Sequence, residues 1–236
     1  MSRIFWAGDS TVKENDFTTY PQTGIGQGIR LFIKKEIEII NHAENGRSTK
    51  SFLDEFRLAA IYNDIKEDDF LFIQFGHNDS KIEDPSRYTK AFSDYQENLE
   101  KFVNAARNKM AHPVFITPLC RRYFVDETHL EEKIHGDYPK AMIETGKKLK
   151  VPVIDLFSMS REFLLKVGDE GSKRYFMHLA PDEYSNYPDG LTDNTHLKYE
   201  GAVAFGGLVA KGLKELGDIY WNLLIEPERL DIGLKV

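Results

Sequence analysis

Four short blocks of polar residues contain the side chains needed for acyl transfer. In chain order they are Gly8-Asp9-Ser10-Thr11, Asn41–Ser48, Gly76-His77-Asn78-Asp79 and Asp193-Asn194-Thr195-His196. A serine hydroxyl becomes an effective nucleophile when a histidine removes its proton and an acid orients that histidine. The oxyanion that forms during acyl transfer also needs N–H donors. The blocks supply all of these groups, which predicts a serine hydrolase.

Each block contributes a defined role to this chemistry. Ser10 is the predicted nucleophile and His196 the predicted base. Asp193, three residues before His196, can fold back and fix the imidazole tautomer. The candidate oxyanion donors are the amides of Ser10 and Gly46 and the side-chain amide of Asn78. Glycine suits position 46 because a side chain would hinder the approach of substrate to the backbone.

Taken singly, each block also has a purely structural interpretation. Asp9 or Ser10 would cap a following helix, and Asp193 or Thr195 would cap the last one. Gly76–Asp79 would be a turn at the end of a strand. The occurrence of all four blocks in one chain favours the hydrolase interpretation.

Short apolar runs predict the strands that position these blocks. They are Ile4–Ala7, Ile37–Asn41, Phe70–Phe75, Pro113–Thr117 and Val151–Leu156. The first three blocks follow the first three runs. Reactive groups collect outside the carboxyl ends of parallel strands, so we expect these blocks to converge on one crevice.

Segments with helical spacing lie between the apolar runs or after them. They are Phe52–Ile65, Phe92–Met110, Tyr138–Leu149 and Tyr199–Leu216. The alternation predicts an α/β fold: a three-layer α/β/α, doubly wound, parallel five-stranded sheet in one domain spanning residues 1–236. We interpret Cys120–Asp137 and Lys173–Asp193 as long functional loops. The apolar tail, residues 217–236, predicts packing on the body or on a second subunit of a homodimer.

The composition excludes several classes of partner. The chain has 236 residues and a net charge of −7, which argues against nucleic acid because phosphate binding needs a basic face. No apolar stretch reaches the about 20 residues needed to span a bilayer. The single cysteine, Cys120, rules out an internal disulfide and fits a reducing compartment. The first strand begins near Ile4, too early for a secretion signal, so we expect the cytoplasm.

The four blocks resemble those of the SGNH (GDSL-like) hydrolases, and within that superfamily those of the rhamnogalacturonan acetylesterases. The likeness runs from about residue 3 to residue 215 and includes Thr117-Pro118, Arg121-Arg122 and His135–Tyr138. It implies a flavodoxin-like fold, removal of O-acetyl groups from pectic rhamnogalacturonan, and no metal or other cofactor. One departure is Ile25, where we expect many relatives to carry tryptophan; it leaves the fine choice of substrate open.

Several substrate contacts follow as hypotheses with alternatives. Arg47, Arg121 and Arg122 would pair either with galacturonate carboxylates or with surface acids. His77 would either touch substrate or support Asn78. The aromatic residues of the two long loops would stack on sugars or pack the loops. A metal at His129, Glu132 and His135 is disfavoured for want of a further ligand.

The sequence therefore predicts a cytoplasmic serine O-acetylesterase acting on acetylated pectic oligosaccharides after their import. Within enzymes, the alternatives are an acetylxylan or other small-acyl esterase, or a lipase or thioesterase. From another class, the alternative is a carbohydrate-binding module that keeps the fold without catalysis.

Overall fold

The structure is a computed structural model that describes residues 2–225. Its strands are β1 (Ile4–Gly8), β2 (Ile39–Asn41), β3 (Phe70–Gln74), β4 (His112–Ile116), β5 (Val153–Ile154), β6 (Phe176–Leu179) and β7 (Leu191–Leu197). Its α-helices are α1 (Ile25–Gly28), α2 (Thr49–Asp54), α3 (Arg57–Asp64), α4 (Gln96–Arg107), α5 (Tyr138–Leu149), α6 (Leu156–Val167), α7 (Asp169–Ser172), α8 (Tyr199–Leu216) and α9 (Asp218–Trp221).

The described chain forms two compact units. The first comprises the residues up to Val12 together with Lys35–Pro118 and His135–Asp155. The second comprises Lys13–Lys34, Leu119–Ile134 and the described residues from Leu156 onward. The prediction of a single domain stays a prediction.

The first unit is built on a five-stranded sheet in the order β2-β1-β3-β4-β5, with every pair parallel. All residues of β1 and β3 are buried, which explains why Gln74 is their one residue with a polar side chain. This strand order is that of a flavodoxin-like, doubly wound sheet, so the predicted α/β fold class is confirmed. The chain order changes direction between β1 and β3, the place where such sheets bind ligands.

The predicted helices are confirmed in two cases and differ in two others. Helices α5 and α8 have the predicted bounds. Phe92–Met110 becomes a π-helical turn, Ala91–Tyr95, followed by α4. The prediction of one helix over Phe52–Ile65 was wrong, because Phe56 adopts a left-handed conformation (φ 58°) that separates α2 from α3. Phenylalanine rarely takes this conformation, so its sequence gives no sign of the break.

The second unit contains a hairpin that the sequence analysis missed. Strands β6 and β7 pair in antiparallel fashion, so the prediction of a loop over Lys173–Asp193 was wrong. Helix α6 was also missed. Helix α8 is rich in small residues because it packs closely on α1: a Cβ at Gly28 would lie 2.0 Å from the carbonyl oxygen of Ala202.

The described part of the tail packs within the second unit. Leu223 and Leu224 are buried, and the Leu223 carbonyl accepts a hydrogen bond from the Lys34 amide at 3.0 Å. The predicted packing of the tail on the body or on a second subunit stays a prediction, and residues 226–236 lie outside the described residues. Among the helices of residues 2–225, none has both the length and the apolar character needed to cross a membrane.

Candidate active site

Ser10 lies in a tight turn directly after β1. The Val12 amide donates to the Asp9 carbonyl at 3.1 Å, and Asp9 Oδ1 accepts from the amide and hydroxyl of Thr11 at 2.9 and 2.8 Å. The next helix begins only at Ile25. Asp9 therefore stabilises the turn that carries Ser10, rather than capping a helix as the structural alternative supposed.

Asp9 also contacts His77, which follows β3. Both side chains are almost fully buried, and His77 Nδ1 lies 2.9 Å from Asp9 Oδ2. Burial alone would raise the pKa of Asp9, but the nearby His77 charge and the hydrogen bonds from His77 and Thr11 lower it. This contact ties the Ser10 turn to the loop that carries Asn78. The imidazole also meets the His135 ring edge-on at 4.5 Å.

Further hydrogen bonds join the loop of Gly46 to the other two loops. The Glu44 amide donates to the Gly8 carbonyl at 3.2 Å, and Asn78 Nδ2 donates to the Arg47 carbonyl at 3.1 Å. Gly46 has a positive φ of 73°, which glycine adopts without strain. In the first unit, the loops after β1, β2 and β3 therefore form one hydrogen-bonded group. They carry the three predicted oxyanion donors.

Asp79 braces this group of loops from within the core. Its carboxylate is fully buried and accepts hydrogen bonds from the Thr49 amide, at the start of α2, and from the hydroxyls of Thr49 and Thr89. Burial raises its pKa to about 7, against the lowering effect of these donors. Asp79 therefore joins the loop after β3 to the start of α2 and to Thr89.

Asp193 and His196 both lie on β7 in the second unit. Asp193 Oδ2 is 2.6 Å from His196 Nδ1, and its Oδ1 accepts from the amides of Thr195 and His196 at 2.7 and 3.0 Å. Burial opposes ionisation of Asp193, yet the bonds and charge of His196 lower its pKa to about 2. Helix α8 is capped by Lys198, so neither Asp193 nor Thr195 caps it. The geometry is that of a carboxylate orienting an imidazole.

Arg122 supports the segment between these two residues. Its amide donates to the Asn194 carbonyl at 2.8 Å and its Nη1 to Asn194 Oδ1 at 2.9 Å. The remainder of the guanidinium contacts Ser172 and Asp169, and the side chain is only 5% exposed. The contact with Asp169 is the pairing with an acid that the alternative supposed.

The other predicted substrate contacts have these surroundings. Arg47 pairs with Glu55 at 2.9 Å and donates to the Asn45 carbonyl at 2.7 Å. Arg121 Nη1 donates to the Tyr123 hydroxyl at 3.1 Å. Ile25 is fully buried, so its side chain forms no exposed wall. Of the loop aromatics, Tyr175 and Phe176 are core residues packed on Phe205, as the alternative of loop packing supposed.

A cysteine nucleophile and a metal centre are two alternatives to catalysis by serine. Cys120 is buried, and burial raises the pKa of its thiol to about 12, so it is poorly suited to attack. Within residues 2–225, no group of three or more His, Cys, Asp and Glu residues is arranged to hold a metal ion.

Sequence reasoning missed Arg87, which no motif marks. It lines a polar cavity of about 270 Å³ with Asn45, Gly46, Arg47, Ser51, Glu55, Asp84 and Ser86. The sequence alone does not reveal that Arg87 lies beside Asn45 and Gly46, because no motif links these residues.

The fold, together with the match to a protein family given next, defines the class of protein as an ester hydrolase of the α/β type. The GDSL-like lipase/acylhydrolase family matches residues 7–204. The chain therefore belongs to this family, which confirms the resemblance found in its four blocks.

Curated relatives resemble the chain over most of its length. The rhamnogalacturonan acetylesterase RhgT of Bacillus subtilis is 44% identical over 91% of this chain and 90% of its own. A second Bacillus subtilis protein, the probable rhamnogalacturonan acetylesterase YesY, is 39% identical over 92% of this chain and 94% of its own.

Solved structures share the fold. The Bacillus subtilis protein YxiM superposes with a TM-score of 0.75 at 23% identity, over 92% of this chain and 57% of that chain. The acetylxylan esterase Axe2 of Geobacillus stearothermophilus gives a TM-score of 0.60 at 13% identity, over 93% of this chain and 95% of its own.

Proposed function

We propose that this protein is a serine O-acetylesterase that removes acetyl groups from rhamnogalacturonan oligosaccharides. The contact that carries the mechanism is the 2.6 Å hydrogen bond between His196 Nδ1 and Asp193. It leaves Nε2 of His196 as the nitrogen that accepts a proton. The substrate class is supported by the names of the relatives that are 44% and 39% identical to the chain.

In the proposed reaction, Ser10 Oγ attacks the acetyl carbonyl carbon while His196 Nε2 accepts the hydroxyl proton. The oxyanion receives hydrogen bonds from the amides of Ser10 and Gly46 and from Asn78 Nδ2. The bond from the acetyl carbon to the sugar oxygen then breaks, and His196 gives its proton to that oxygen. The products of this half-reaction are the free sugar hydroxyl and acetyl-Ser10.

Deacylation repeats these steps with water. His196 removes a proton from the water molecule, which attacks the acetyl-Ser10 carbonyl. Collapse of the second oxyanion releases acetate, and His196 returns the proton to Ser10 Oγ. Asp193 stays ionised throughout, because its pKa of about 2 lies far below neutral pH, and it stabilises the protonated imidazole. No cofactor is required.

Among the arginines, we propose different roles for Arg47 and Arg122. Arg122 is held by Asp169, Ser172 and Asn194, which supports a positioning role. The Arg47 side chain is partly exposed, and it already binds a carboxylate, that of Glu55, at 2.9 Å. Because a sugar carboxylate could reach it, Arg47 is the proposed contact for galacturonate. Arg47→Ala should reduce kcat/KM on acidic pectic oligosaccharides more than on neutral ones. Equal losses on both would contradict this role. Arg121 and His77 stay predictions as substrate contacts.

The substrate is tested by acetate release from acetylated rhamnogalacturonan and acetylated xylo-oligosaccharides assayed side by side. The proposal requires a higher kcat/KM on the pectic set. A preference for the xylan set would keep the mechanism and replace the substrate. A series of acyl esters separates the remaining alternatives: a steep loss of rate beyond acetyl supports an acetylesterase, whereas a flat profile indicates a lipase or thioesterase.

We also propose that the enzyme works in the cytoplasm on imported oligosaccharides. The sole cysteine of the sequence, Cys120, is a buried free thiol, which suits a reducing compartment. Immunoblotting of fractionated cells tests the location, and recovery in the culture medium would contradict it.

A further inference from the structure

The guanidinium of Arg87 contacts both of the loops that carry Gly46 and Asn78. Its Nη1 donates to Asn78 Oδ1 at 3.4 Å. A Cβ built on Gly46 would lie 3.2 Å from the same nitrogen. One cation therefore lies beside two of the residues that carry the proposed oxyanion donors.

The position of this guanidinium is fixed by its own turn. Arg87 Nε donates to Asp84 Oδ2 at 2.6 Å, and the Arg87 amide donates to the Asp84 carbonyl at 3.0 Å. Asp84 Oδ1 in turn accepts from the amide and hydroxyl of Ser86 at 3.1 and 2.5 Å. The carboxylate thus holds the arginine in one orientation.

This contact determines which way the Asn78 amide faces. Oδ1 accepts from Arg87, and Nδ2 donates to the Arg47 carbonyl at 3.1 Å. A flipped amide would set its NH₂ group against the guanidinium and its oxygen against a carbonyl oxygen, and both contacts are repulsive. Nδ2 carries two hydrogens and the Arg47 carbonyl takes one, so the second can serve the oxyanion. Asn78 is 5% exposed, which leaves it little freedom to adjust.

We propose that Arg87 is a positioning residue of the oxyanion hole: it holds the Asn78 amide in the orientation that donates Nδ2–H, next to the Gly46 loop. The inference rests on the proposed acetyl transfer. Preorganised donors stabilise the oxyanion only where it forms, so loss of their alignment slows the chemical step more than it weakens substrate binding.

The test compares kcat and KM for Arg87→Ala, Arg87→Lys and the wild type with an activated acetyl ester. Removal of a whole oxyanion donor costs about 10²–10³-fold in kcat, so misalignment of one should cost about 10- to 100-fold. We expect a loss of this size for Arg87→Ala, with KM changed less than about threefold. Arg87→Lys keeps the charge without the planar fork and should recover part of the loss.

A matched control is Arg57→Ala. The side chain of Arg57 is 30% exposed and pairs with Glu55 at 2.8 Å, as that of Arg87 is 32% exposed and pairs with Asp84. It should leave kcat within about twofold of the wild type. If Arg87→Ala behaves like this control, or if only its KM rises, the positioning role is wrong.

A second measurement separates alignment from general damage. A boronic acid adds to a catalytic serine as a tetrahedral mimic of the intermediate. Its inhibition constant for Arg87→Ala should rise by the same factor by which kcat/KM falls. An unchanged inhibition constant would contradict the inference, and Arg87→Lys provides the same comparison if Arg87→Ala does not fold. Ser10→Ala, measured in parallel, distinguishes the two proposals. Activity that does not depend on Ser10 would contradict the proposed function. Activity that depends on Ser10 but is unaffected by the Arg87 variants would contradict only this inference.

Discussion

Asp9 and His77 are a buried pair that joins the loops of Ser10 and Asn78. We predict that His77→Ala destabilises the protein by about 3 kcal/mol, because it removes the imidazole partner of the buried Asp9 carboxylate. Urea unfolding measures this loss. The control is His112→Ala, whose side chain is 33% exposed and lies 3.5 Å from Asp68; it should cost about 1 kcal/mol or less. Equal effects would show that the Asp9 contact contributes little.

The hydrogen bond of Asp193 to His196 defines a second prediction at the scale of single residues. In Asp193→Asn, the amide NH₂ would turn towards Nδ1 and favour the wrong imidazole tautomer, so kcat should fall about 10⁴-fold. Steady-state acetate release at neutral pH provides the measurement, with exposed Asp189→Asn as a control that retains full activity. A loss below about tenfold would remove Asp193 from the mechanism.

The predicted catalytic residues were accessible from sequence because their types and order are distinctive. The roles of Asp9, Arg87 and Arg122 were not accessible in this way. The partner of Asp9 is His77 and that of Arg122 is Asn194, each about 70 residues away along the chain. Arg87 and its partner Asn78 are nine residues apart, but no motif links them. When a charged residue belongs to no local motif, the sequence alone predicts only that it lies on the surface.

Helix α2 begins at the buried carboxyl group of Asp79, which makes the stability of this element pH-dependent. The pKa of Asp79 is about 7 in the folded protein and near the ordinary value of 3.8 in the unfolded chain. Between these values the folded state binds the extra proton, so this group lowers the unfolding free energy as pH rises from about 4 to 7.

We therefore predict that Asp79→Asn gains stability relative to the wild type as pH rises. The difference between the two unfolding free energies should change in favour of the variant by at least about 1 kcal/mol between pH 5 and pH 7.5. Urea titrations of both proteins at both pH values measure this difference. A pH-independent difference would show that Asp79 is already ionised at pH 5.

Close packing of α8 on α1 gives a second prediction for these elements. Gly28→Ala should destabilise the protein by about 3 kcal/mol, because the new methyl group would meet the Ala202 carbonyl and neither backbone can move freely. Gly207→Ala on α8 is the control: its nearest neighbour is the tip of the Phe32 ring, at 3.2 Å, so its cost should stay within about 1 kcal/mol. Thermal unfolding of both variants compares the two sites.

Local sequence predicted the elements whose pattern continues from end to end. Helices α5 and α8 matched because their apolar spacing is regular. The buried strands β1 and β3 matched because all their residues except Gln74 lack a polar side chain. The hairpin of β6 and β7 was missed because β7 consists largely of the polar site block. In such cases, pairing between strands outweighs local preference.

At the scale of the whole molecule, the proposed groups are divided between the two units. The first carries Ser10, Gly46 and Asn78, and the second carries Asp193 and His196. The net charge of −7 opposes the approach of acidic sugars, so the proposed galacturonate contact depends on local arginines such as Arg47. A homodimer stays a prediction, which light scattering coupled to size exclusion would test.

The central claim is that Ser10 performs covalent acetyl transfer. Its most direct test is acetate release from acetylated rhamnogalacturonan oligosaccharides by the wild type and by Ser10→Ala. We predict a loss of about 10⁵-fold in kcat with an unchanged unfolding temperature. Activity of Ser10→Ala within tenfold of the wild type would contradict the account.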